Sequence, residues 1–446
     1  MIYNDLSELH KNLSKCLDFK NGQIKIINNE LLINELIDDL IYSVIFSENK
    51  MVVQKCKYII LNTARSMGIT PCSTNNLYKN GFAKEKIKDI TVPAINIRTM
   101  TYDIAQIIFK EIIDNEIGIL IFEIARSEIN YTKQSPSEYA TCIFAAGIKT
   151  GYKGCVFLQG DHYQFNKTSF EKDKLREIQS LKDLIKESIN AFFYNIDIDA
   201  STLVDYEKKN IDGQQKENYK QTAELTKYIR SIQPENIIIS VGGEIGHIGG
   251  KNSTLEEFNA FIRGYNNEMN DQKNNGISKI SVQTGSSHGG TVGPDGKITD
   301  VNIDFKIISS IGNAAKKNYN IGGVVQHGAS TLPDELFDYF PKHNTLEIHL
   351  ATGFQNIIFE YLPDELKQKI DNWVLKNYKD EWEKEWYKTQ FLYKLKKKSL
   401  GYFKKDLWNL SVKDKEKILS ILKNKFSLLF RQLNITNSKT KVEKYI

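Results

Sequence analysis

From about residue 90 the chain alternates short apolar runs with longer segments whose apolar residues recur at helical spacing. The short runs have the length and the β-branched content of buried strands. The segments between them, such as SLKDLIKESINAF, present one apolar face. Strands that alternate with helices pair in parallel, because a parallel connection needs a long crossover. The pattern predicts an α/β fold with eight strands, at residues 90–97, 117–125, 154–162, 192–201, 236–244, 277–289, 321–330 and 345–352.

Eight such units within about 265 residues match the size of a (β/α)8 TIM barrel. An open doubly wound sheet is the alternative, but no GxGxxG turn follows the first strand. Segments such as NNELLINELIDDLIYSVIF predict an N-terminal helical extension over residues 1–89. The pattern after residue 359 is helical to the end. We therefore expect a barrel at 90–359 and a C-terminal helical region at 360–446.

Composition is that of a soluble globular protein, with 41% hydrophobic and 26% charged residues. No apolar run reaches the roughly 18–20 residues that span a bilayer, and the N-terminus lacks a secretory pattern. These features predict a cytoplasmic protein that does not bind membranes. The five cysteines are scattered without a CxxC pair, which argues against a disulfide framework or a thiolate zinc site.

The net charge of +5 is concentrated at the C-terminal end. Residues 364–446 hold 21 Lys and Arg against 11 Asp and Glu. Such a basic region can indicate nucleic-acid binding. Here, however, the lysines are interleaved with aromatic and apolar residues at helical spacing, as in WVLKNYKDEWEKEWYKTQFLYKL. We interpret the lysines as the solvated face of helices and expect no nucleic-acid partner.

Histidines cluster at the carboxyl ends of the predicted strands, where a barrel carries its chemistry. A single histidine there is more often a hydrogen-bonded core residue than a ligand. His162, His288 and His327 end strands three, six and seven, so the barrel would bring them around one mouth. Three neutral imidazoles with an open fourth position form a catalytic divalent-metal site. Zinc is the first candidate, and another divalent ion is possible.

Acids and small residues accompany these histidines. Asp199 and Glu244 end strands four and five and would serve as partners of the ligands, as a second cation position, or only as a structural salt bridge. Glycines beside the histidines leave backbone N–H groups open to an anion. Barrels often bind phosphate at strands seven and eight. The phosphate-binding candidates are Gly289, Gly328, Ser330 and Thr352.

Together these motifs resemble the class II, metal-dependent fructose-bisphosphate and tagatose-bisphosphate aldolases. The resemblance extends from about residue 90 to 359. It is carried by VPAINI (92–97), GDH (160–162), DAS (199–201), EIGHIGG (244–250), SSHGG (286–290) and VVQHGAS (324–330).

The resemblance implies that His162, His288 and His327 bind zinc and that Asp161 moves the proton of the aldehyde group. It implies that the glycine, serine and threonine candidates bind the phosphate of dihydroxyacetone phosphate. A monovalent cation near those loops and a homodimer or higher homo-oligomer are also implied. In this mechanism zinc acts as a Lewis acid on an enediolate, and Asp161 transfers a proton to or from the C4 oxygen of the ketose.

Three departures from the family pattern stand out. Lys251-Asn252-Ser253 replaces an acidic pair after the strand-five glycines, where Glu256, Glu257 or His247 would have to substitute. The last strand reads His349-Leu350-Ala351-Thr352 and gains an imidazole. FKKDLWNLS (403–411) has no arginine for a second phosphate, although Lys404 and Lys405 are nearby.

Two alternatives therefore remain open. IFEIARSEIN (121–130) and the segment after it resemble the non-catalytic companion subunit of tagatose-bisphosphate aldolase. The altered loop and His349 are also compatible with a different metal-dependent barrel lyase or epimerase.

Overall fold

A computed structural model describes residues 1–20, 23–246, 251–270, 275–285 and 303–446. Eight parallel strands form a closed barrel, because each pairs with its neighbour in the chain, and the eighth pairs with the first. The TIM-barrel prediction is confirmed, and all eight predicted runs contain a strand. The strands are β1 (Val92–Asn96), β2 (Ile121–Ala125), β3 (Gly154–Gln164), β4 (Asn195–Asp199), β5 (Ser240–Glu244), β6 (Lys279–Val282), β7 (Val324–Gln326) and β8 (Glu347–Leu350).

Helices follow the strands and cover the outside of the barrel. Polar side chains cap many of them; Thr254, for example, accepts from the backbone of Glu257, whose carboxylate accepts from the backbone of Thr254. The helices are Thr101–Asp114, Arg126–Thr132, Pro136–Thr150, Lys167–Lys172, Lys174–Asn190, Ile211–Ile232, Leu255–Met269, Phe305–Tyr319, Tyr339–Lys342 and Thr352–Tyr361.

The N-terminal region is mainly helical, as the pattern indicates, with helices Leu6–Leu13, Asn29–Leu31, Ile37–Phe46 and Lys50–Ser66 and π-helical turns Leu32–Leu36 and Leu77–Phe82. It also contains an antiparallel hairpin, Leu17–Lys20 with Gln23–Ile26, that the helical interpretation did not predict. A further strand, Ile69–Pro71, pairs with the start of β3. Beside it Cys72 forms a disulfide with Cys155, a pairing that the scattered cysteines did not indicate.

Residues 73–78 close the amino-terminal end of the barrel. The backbone N–H and the hydroxyl of Thr74 donate to Asn195 at the start of β4. The hydroxyl of Ser73 donates to Ile238 just before β5. The fully buried Tyr78 reaches into the barrel and donates to the carboxylate of Glu347. The N-terminal region therefore contacts the barrel at the end opposite to the predicted histidine site.

The C-terminal region packs along the side of the barrel. Its long helix Val412–Gln432 contacts Thr101–Asp114 and Thr352–Tyr361. Trp408 is buried against Tyr42, with ring centroids 5.7 Å apart, so the two terminal regions touch. None of the helices in the described part of the chain is both long and apolar enough to cross a bilayer. The other helices here are Asp364–Asn377, Lys388–Leu395, Lys404–Trp408 and Lys439–Val442, with 3₁₀ turns at Lys379–Glu381, Lys396–Ser399 and Glu443–Tyr445.

Candidate active site

A cavity of about 820 Å³ lies at the carboxyl ends of the strands. Asp161, His162, His327 and His349 line its inner end, and residues of the C-terminal segment line its outer wall. The carboxyl ends of parallel strands are where a barrel assembles its chemistry. The structure therefore brings together residues that are far apart in the chain; Asp161 and His349, for example, are 188 positions apart.

A bulge in β3 explains why an acid and a histidine that are neighbours in the chain both face the cavity. Successive residues of a regular strand point to opposite faces. Here Gly160 pairs with Ile196 and Tyr163 with Ile198, so β3 contains one residue more than β4 over this stretch. His162 takes a positive φ of 42°. A side chain on Gly160 would come within 2.4 Å of the Tyr163 ring, which makes glycine necessary at this bend.

Two carboxylates hold the ring of His162. Nδ1 lies 3.2 Å from Oδ2 of Asp199 and 3.2 Å from Oε2 of Glu244. Asp199 is itself fixed, because its Oδ1 accepts from the backbone N–H and the hydroxyl of Ser201 at 3.0 and 2.6 Å. Metal-binding histidines commonly donate one ring N–H to a carboxylate, which sets the tautomer. The arrangement directs the lone pair of His162 to Nε2.

Glu244 and His327 complete a group of donors. One donor atom from each of His162, Glu244 and His327 lies within 4.8 Å of the others. The ring centroids of the two histidines are 4.1 Å apart. Burial and the nearby Asp199 raise the pKa of Glu244 to about 8. Its buried Oε1 has no hydrogen-bond partner among the described residues. Two imidazoles and a carboxylate with an unsatisfied oxygen fit a divalent cation.

Two predicted site residues, His288 and Gly289, lie outside the described residues, as does His247. The third imidazole of the predicted triad therefore stays a prediction.

Asp161 lies between the histidines. Its Oδ1 is 3.0 Å from Nδ1 of His349 and 3.9 Å from both Nε2 of His162 and Nδ1 of His327. Burial would raise the pKa of Asp161, but the neighbouring imidazoles, first His162 and then His349, hold it well below its usual range. Asp161 is therefore an ionised carboxylate at the inner end of the cavity.

A layer of buried charge lies beneath the cavity, and sequence reasoning did not predict it. The fully buried Lys279 donates from Nζ to Gln159, Asp197 and Glu347 at 2.6, 2.9 and 2.5 Å. Asp197 and Glu347 raise the pKa of Lys279 against the lowering effect of burial. His349 joins this layer to Asp161, because its Nε2 lies 2.6 Å from Oε1 of Glu347. The imidazole in the last strand was the only sequence signal of this connection.

Three of the predicted phosphate-binding residues, Gly328, Ser330 and Thr352, line the same cavity as the histidines. Gly328 has a positive φ of 70°. Ser330 Oγ accepts from the backbone N–H of Gly353 at 3.1 Å. Thr352 Oγ1 accepts from Nη1 of Arg98 at 3.3 Å, and Arg98 is a cavity residue that sequence reasoning missed.

Among the described residues, those considered as replacements for the missing loop acid and for the missing arginine do not line the cavity. Glu257 is buried as the capping residue of its helix, with Oε2 2.8 Å from the backbone N of Thr254, and Glu256 is exposed. Lys404 pairs with Glu138, away from the cavity, and Lys405 lines a separate surface depression. Neither lysine contributes to the cavity wall.

The family model for class-II fructose-bisphosphate aldolase matches residues 76–400 of the 446. The chain belongs to this family. Two solved structures of similar fold share 12% and 10% of its sequence, which fits a divergent member. None of the curated proteins matches the chain at a significant level.

Solved structures resemble this aldolase-family chain over most of its length. A putative fructose-1,6-biphosphate aldolase from Coccidioides immitis is 16% identical and covers 82% of this chain and 99% of its own, with a TM-score of 0.49. A probable tagatose 6 phosphate kinase from Sinorhizobium meliloti 1021 is 12% identical and covers 79% and 93%, with a TM-score of 0.54. The fructuronate-tagaturonate epimerase UxaE from Cohnella laeviribosi is 10% identical and covers 95% and 90%, with a TM-score of 0.57. At these identities the likeness concerns the fold alone.

Proposed function

We propose that this class-II aldolase-family protein is a metal-dependent lyase that cleaves or forms a phosphorylated ketose. The observation that carries the proposal is the position of the ionised Asp161 beside the donor group of His162, Glu244 and His327 in one cavity. Proton transfer next to a Lewis acid is what an aldol cleavage requires.

His162 and His327 would hold the metal, with Glu244 as a further oxygen donor and His288 as the predicted third imidazole. Zinc is the first candidate, since imidazole suits it and no cysteine lies among the described donors. A bound divalent ion would supply Lewis-acid polarisation of the ketose carbonyl.

Asp161 would move the proton in the bond-breaking step. Its carboxylate accepts the proton of the C4 hydroxyl as the C3–C4 bond breaks. The electron pair of the C3–C4 bond forms a C2=C3 double bond and leaves negative charge on the C2 oxygen, which gives an enediolate. C4 departs as the carbonyl carbon of the aldehyde. In the synthetic direction the protonated Asp161 returns its proton to the new alkoxide. The ionised form of Asp161 is the one that accepts a proton.

The first experiment is metal analysis of the purified protein together with a chelator-sensitive cleavage assay over a panel of ketose mono- and bisphosphates. We expect about one metal per chain, in line with one open site of this donor type. Asp161→Asn should keep the metal and lose at least about 100-fold in kcat, the typical contribution of a proton-transferring group. His162→Ala should lose the metal. Unchanged metal content in both His162→Ala and His327→Ala would contradict the proposal.

A second candidate is a non-catalytic barrel subunit. The observation that favours it is the position of Glu257, which caps its helix instead of standing free for catalysis after the altered loop. Turnover by the isolated chain would exclude this candidate, whereas turnover only with a co-purified aldolase would support it.

A further inference from the structure

The buried carboxyl group of Glu123 lines the cavity, and the cleavage step described above does not use it. Glu123 lies on β2, opposite Gln159 of β3. Its Oε2 is 3.2 Å from Nδ1 of His349, the same nitrogen that is 3.0 Å from Oδ1 of Asp161. An imidazole nitrogen carries at most one hydrogen, so two carboxyl groups of the cavity face a single N–H.

The other carboxyl groups around the ring of His349 have basic partners of their own. Near the second ring nitrogen, Asp197 and Glu347 form ion pairs with Lys279. Asp161 faces the imidazoles of two further histidines at 3.9 Å. Each of these carboxyl groups therefore has a basic partner in addition to His349.

Glu123 has no such second partner among the described residues. Its other contact is a neutral amide, because Nε2 of Gln159 donates to its Oε2 at 3.0 Å. A carboxyl group that is buried beside another carboxylate favours its neutral form. Burial, and after it the nearby Asp161, accordingly raise the pKa of Glu123 well above its usual range. Glu123 is therefore a carboxylic acid beside the carboxylate of Asp161.

The proton of Glu123 belongs on Oε1. Oε2 already accepts from Gln159, whereas the buried Oε1 has no hydrogen-bond partner among the described residues. A neutral carboxyl group has one O–H donor, and its hydrogen is here not engaged by the described part of the chain. Carboxyl groups whose environments separate their pKa values commonly serve as the acid and the base of an active site. Glu123 and Asp161 form such a pair.

The proposed aldol cleavage needs an acid of this kind. Asp161 takes the proton of the C4 hydroxyl, so a second group must give a proton to C3 of the enediolate before the ketone product is complete. The loop after β5 has Lys251-Asn252-Ser253 in place of an acidic pair. Glu257 is engaged as a helix cap, and Glu256 is exposed and does not line the cavity.

We propose that Glu123 is the catalytic acid that protonates C3 of the enediolate. The O–H bond of Glu123 breaks, and its proton forms the C3–H bond with an electron pair of the C2=C3 double bond. An electron pair on the C2 oxygen forms the carbonyl bond. The proton that Asp161 received then passes to Glu123, which restores both groups without a net gain or loss of protons. The inference rests on the proposed function for the reaction itself.

Hydrogen exchange separates this step from cleavage of the carbon–carbon bond. The hydroxymethyl carbon of dihydroxyacetone phosphate corresponds to C3 of the ketose, and its hydrogen exchanges with D₂O when the acid step runs in reverse. Proton NMR of this compound with the full-length, metal-bound protein measures the exchange rate. Glu123→Gln should lower that rate by at least about 100-fold, the typical contribution of a proton-transferring group. Asp161→Asn should keep the exchange and lose the cleavage.

A second measurement follows the enediolate itself. Hexacyanoferrate(III) oxidises enediolates, so its reduction during ketose cleavage reports the intermediate. The reduction should be at least as fast with Glu123→Gln as with the unmodified protein, because cleavage continues and the intermediate is not protonated. Glu123→Asp keeps a carboxyl group and should retain part of the exchange that Glu123→Gln loses. Metal content equal to that of the unmodified protein shows that each variant is folded.

The matched control is Glu256→Gln, which makes the same change on an exposed residue outside the cavity. It should leave the exchange rate unchanged. Loss of exchange in Glu256→Gln, with normal exchange in Glu123→Gln, would overturn the proposal and assign the step to the loop after β5.

Two results for Glu123→Gln contradict the inference. One is an exchange rate equal to that of the unmodified protein. The other is the loss of hexacyanoferrate(III) reduction together with exchange, because the residue would then act before the enediolate forms. An unmodified protein that neither exchanges nor cleaves refutes the proposed function and this inference with it. An unmodified protein that does both, while Glu123→Gln still exchanges, refutes this inference alone.

Discussion

Nδ1 of His349 lies 3.0 Å from Oδ1 of Asp161, while Nε2 of the same ring lies 2.6 Å from Oε1 of Glu347. Glu347 and His349 are two positions apart on β8, so both side chains face the barrel interior. The imidazole therefore connects the carboxylate that would move the proton with the buried layer around Lys279. His349 is a positioning residue for Asp161.

We expect His349→Ala to lower kcat by about 10- to 100-fold, the usual cost of removing a group that orients a reacting or metal-binding side chain. Metal content should stay close to that of the unmodified protein, because His349 is not needed in the proposed donor group. Steady-state kinetics and metal analysis measure both quantities. His343→Ala removes a histidine outside the cavity and should change neither. A full loss of metal in His349→Ala would show that the residue is a ligand instead.

Lys279→Met should reduce the free energy of unfolding by about 3–5 kcal/mol, because it leaves Asp197 and Glu347 buried without their cation. Urea unfolding of the purified variants measures the change. Adding Glu347→Gln should recover part of the loss by removing one of the uncompensated charges. A reduction below about 1 kcal/mol would indicate that the layer tolerates an uncompensated carboxylate, contrary to the ordinary cost of such a group.

Gly242→Ala should also destabilise the protein, by about 1–3 kcal/mol. Gly242 pairs with Asp197 on one side and Lys279 on the other. A Cβ at this position would come within 2.3 Å of Oδ1 of Asp197 and 3.1 Å of Cε of Lys279. Because glycine has no side chain, it leaves the space in which Asp197 and Lys279 form their ion pair.

The matched control for Gly242→Ala is Gly312→Ala. Gly312 is a helical glycine whose Cβ would meet only Val324, at 3.8 Å. Alanine there should be neutral or stabilising by up to about 1 kcal/mol, because it raises helix propensity. Urea unfolding measures the free energy of unfolding of both variants. A similar loss in Gly242→Ala and Gly312→Ala would refute the packing argument.

Removal of the metal should lower the melting temperature. A ligand present at about 100 times its Kd stabilises the native state by about 2.7 kcal/mol. Differential scanning calorimetry with and without a chelator measures the shift. His162→Ala should melt at the same temperature under both conditions, since the donor group is incomplete. Asp161→Asn should keep the chelator-dependent shift.

Local patterns predicted the barrel correctly, because the apolar periodicity of a strand or a helix is visible within a short segment of the sequence. They also predicted that Asp161, His162 and His327 would meet in one cavity, since strand ends of a barrel converge. The same reasoning missed the hairpin of residues 17–26, which is short and lies within a segment whose sequence pattern predicts helices. It also did not decide whether Glu256 or Glu257 replaces the missing loop acid. The structure shows that the carboxylate of Glu257 accepts from the backbone N–H of Thr254 at a helix N-terminus.

The sequence by itself determined the class of fold, the family and the strand ends at which the chemistry lies. Only the tertiary structure decided which polar residues meet. The bulge that turns both Asp161 and His162 inward depends on the register of β3 against β4. The contacts of Lys279 and the approach of Lys397 to the cavity join residues far apart in the chain. Such contacts depend on packing between elements that are distant in the chain. The local periodicity of the sequence contains no information about that packing.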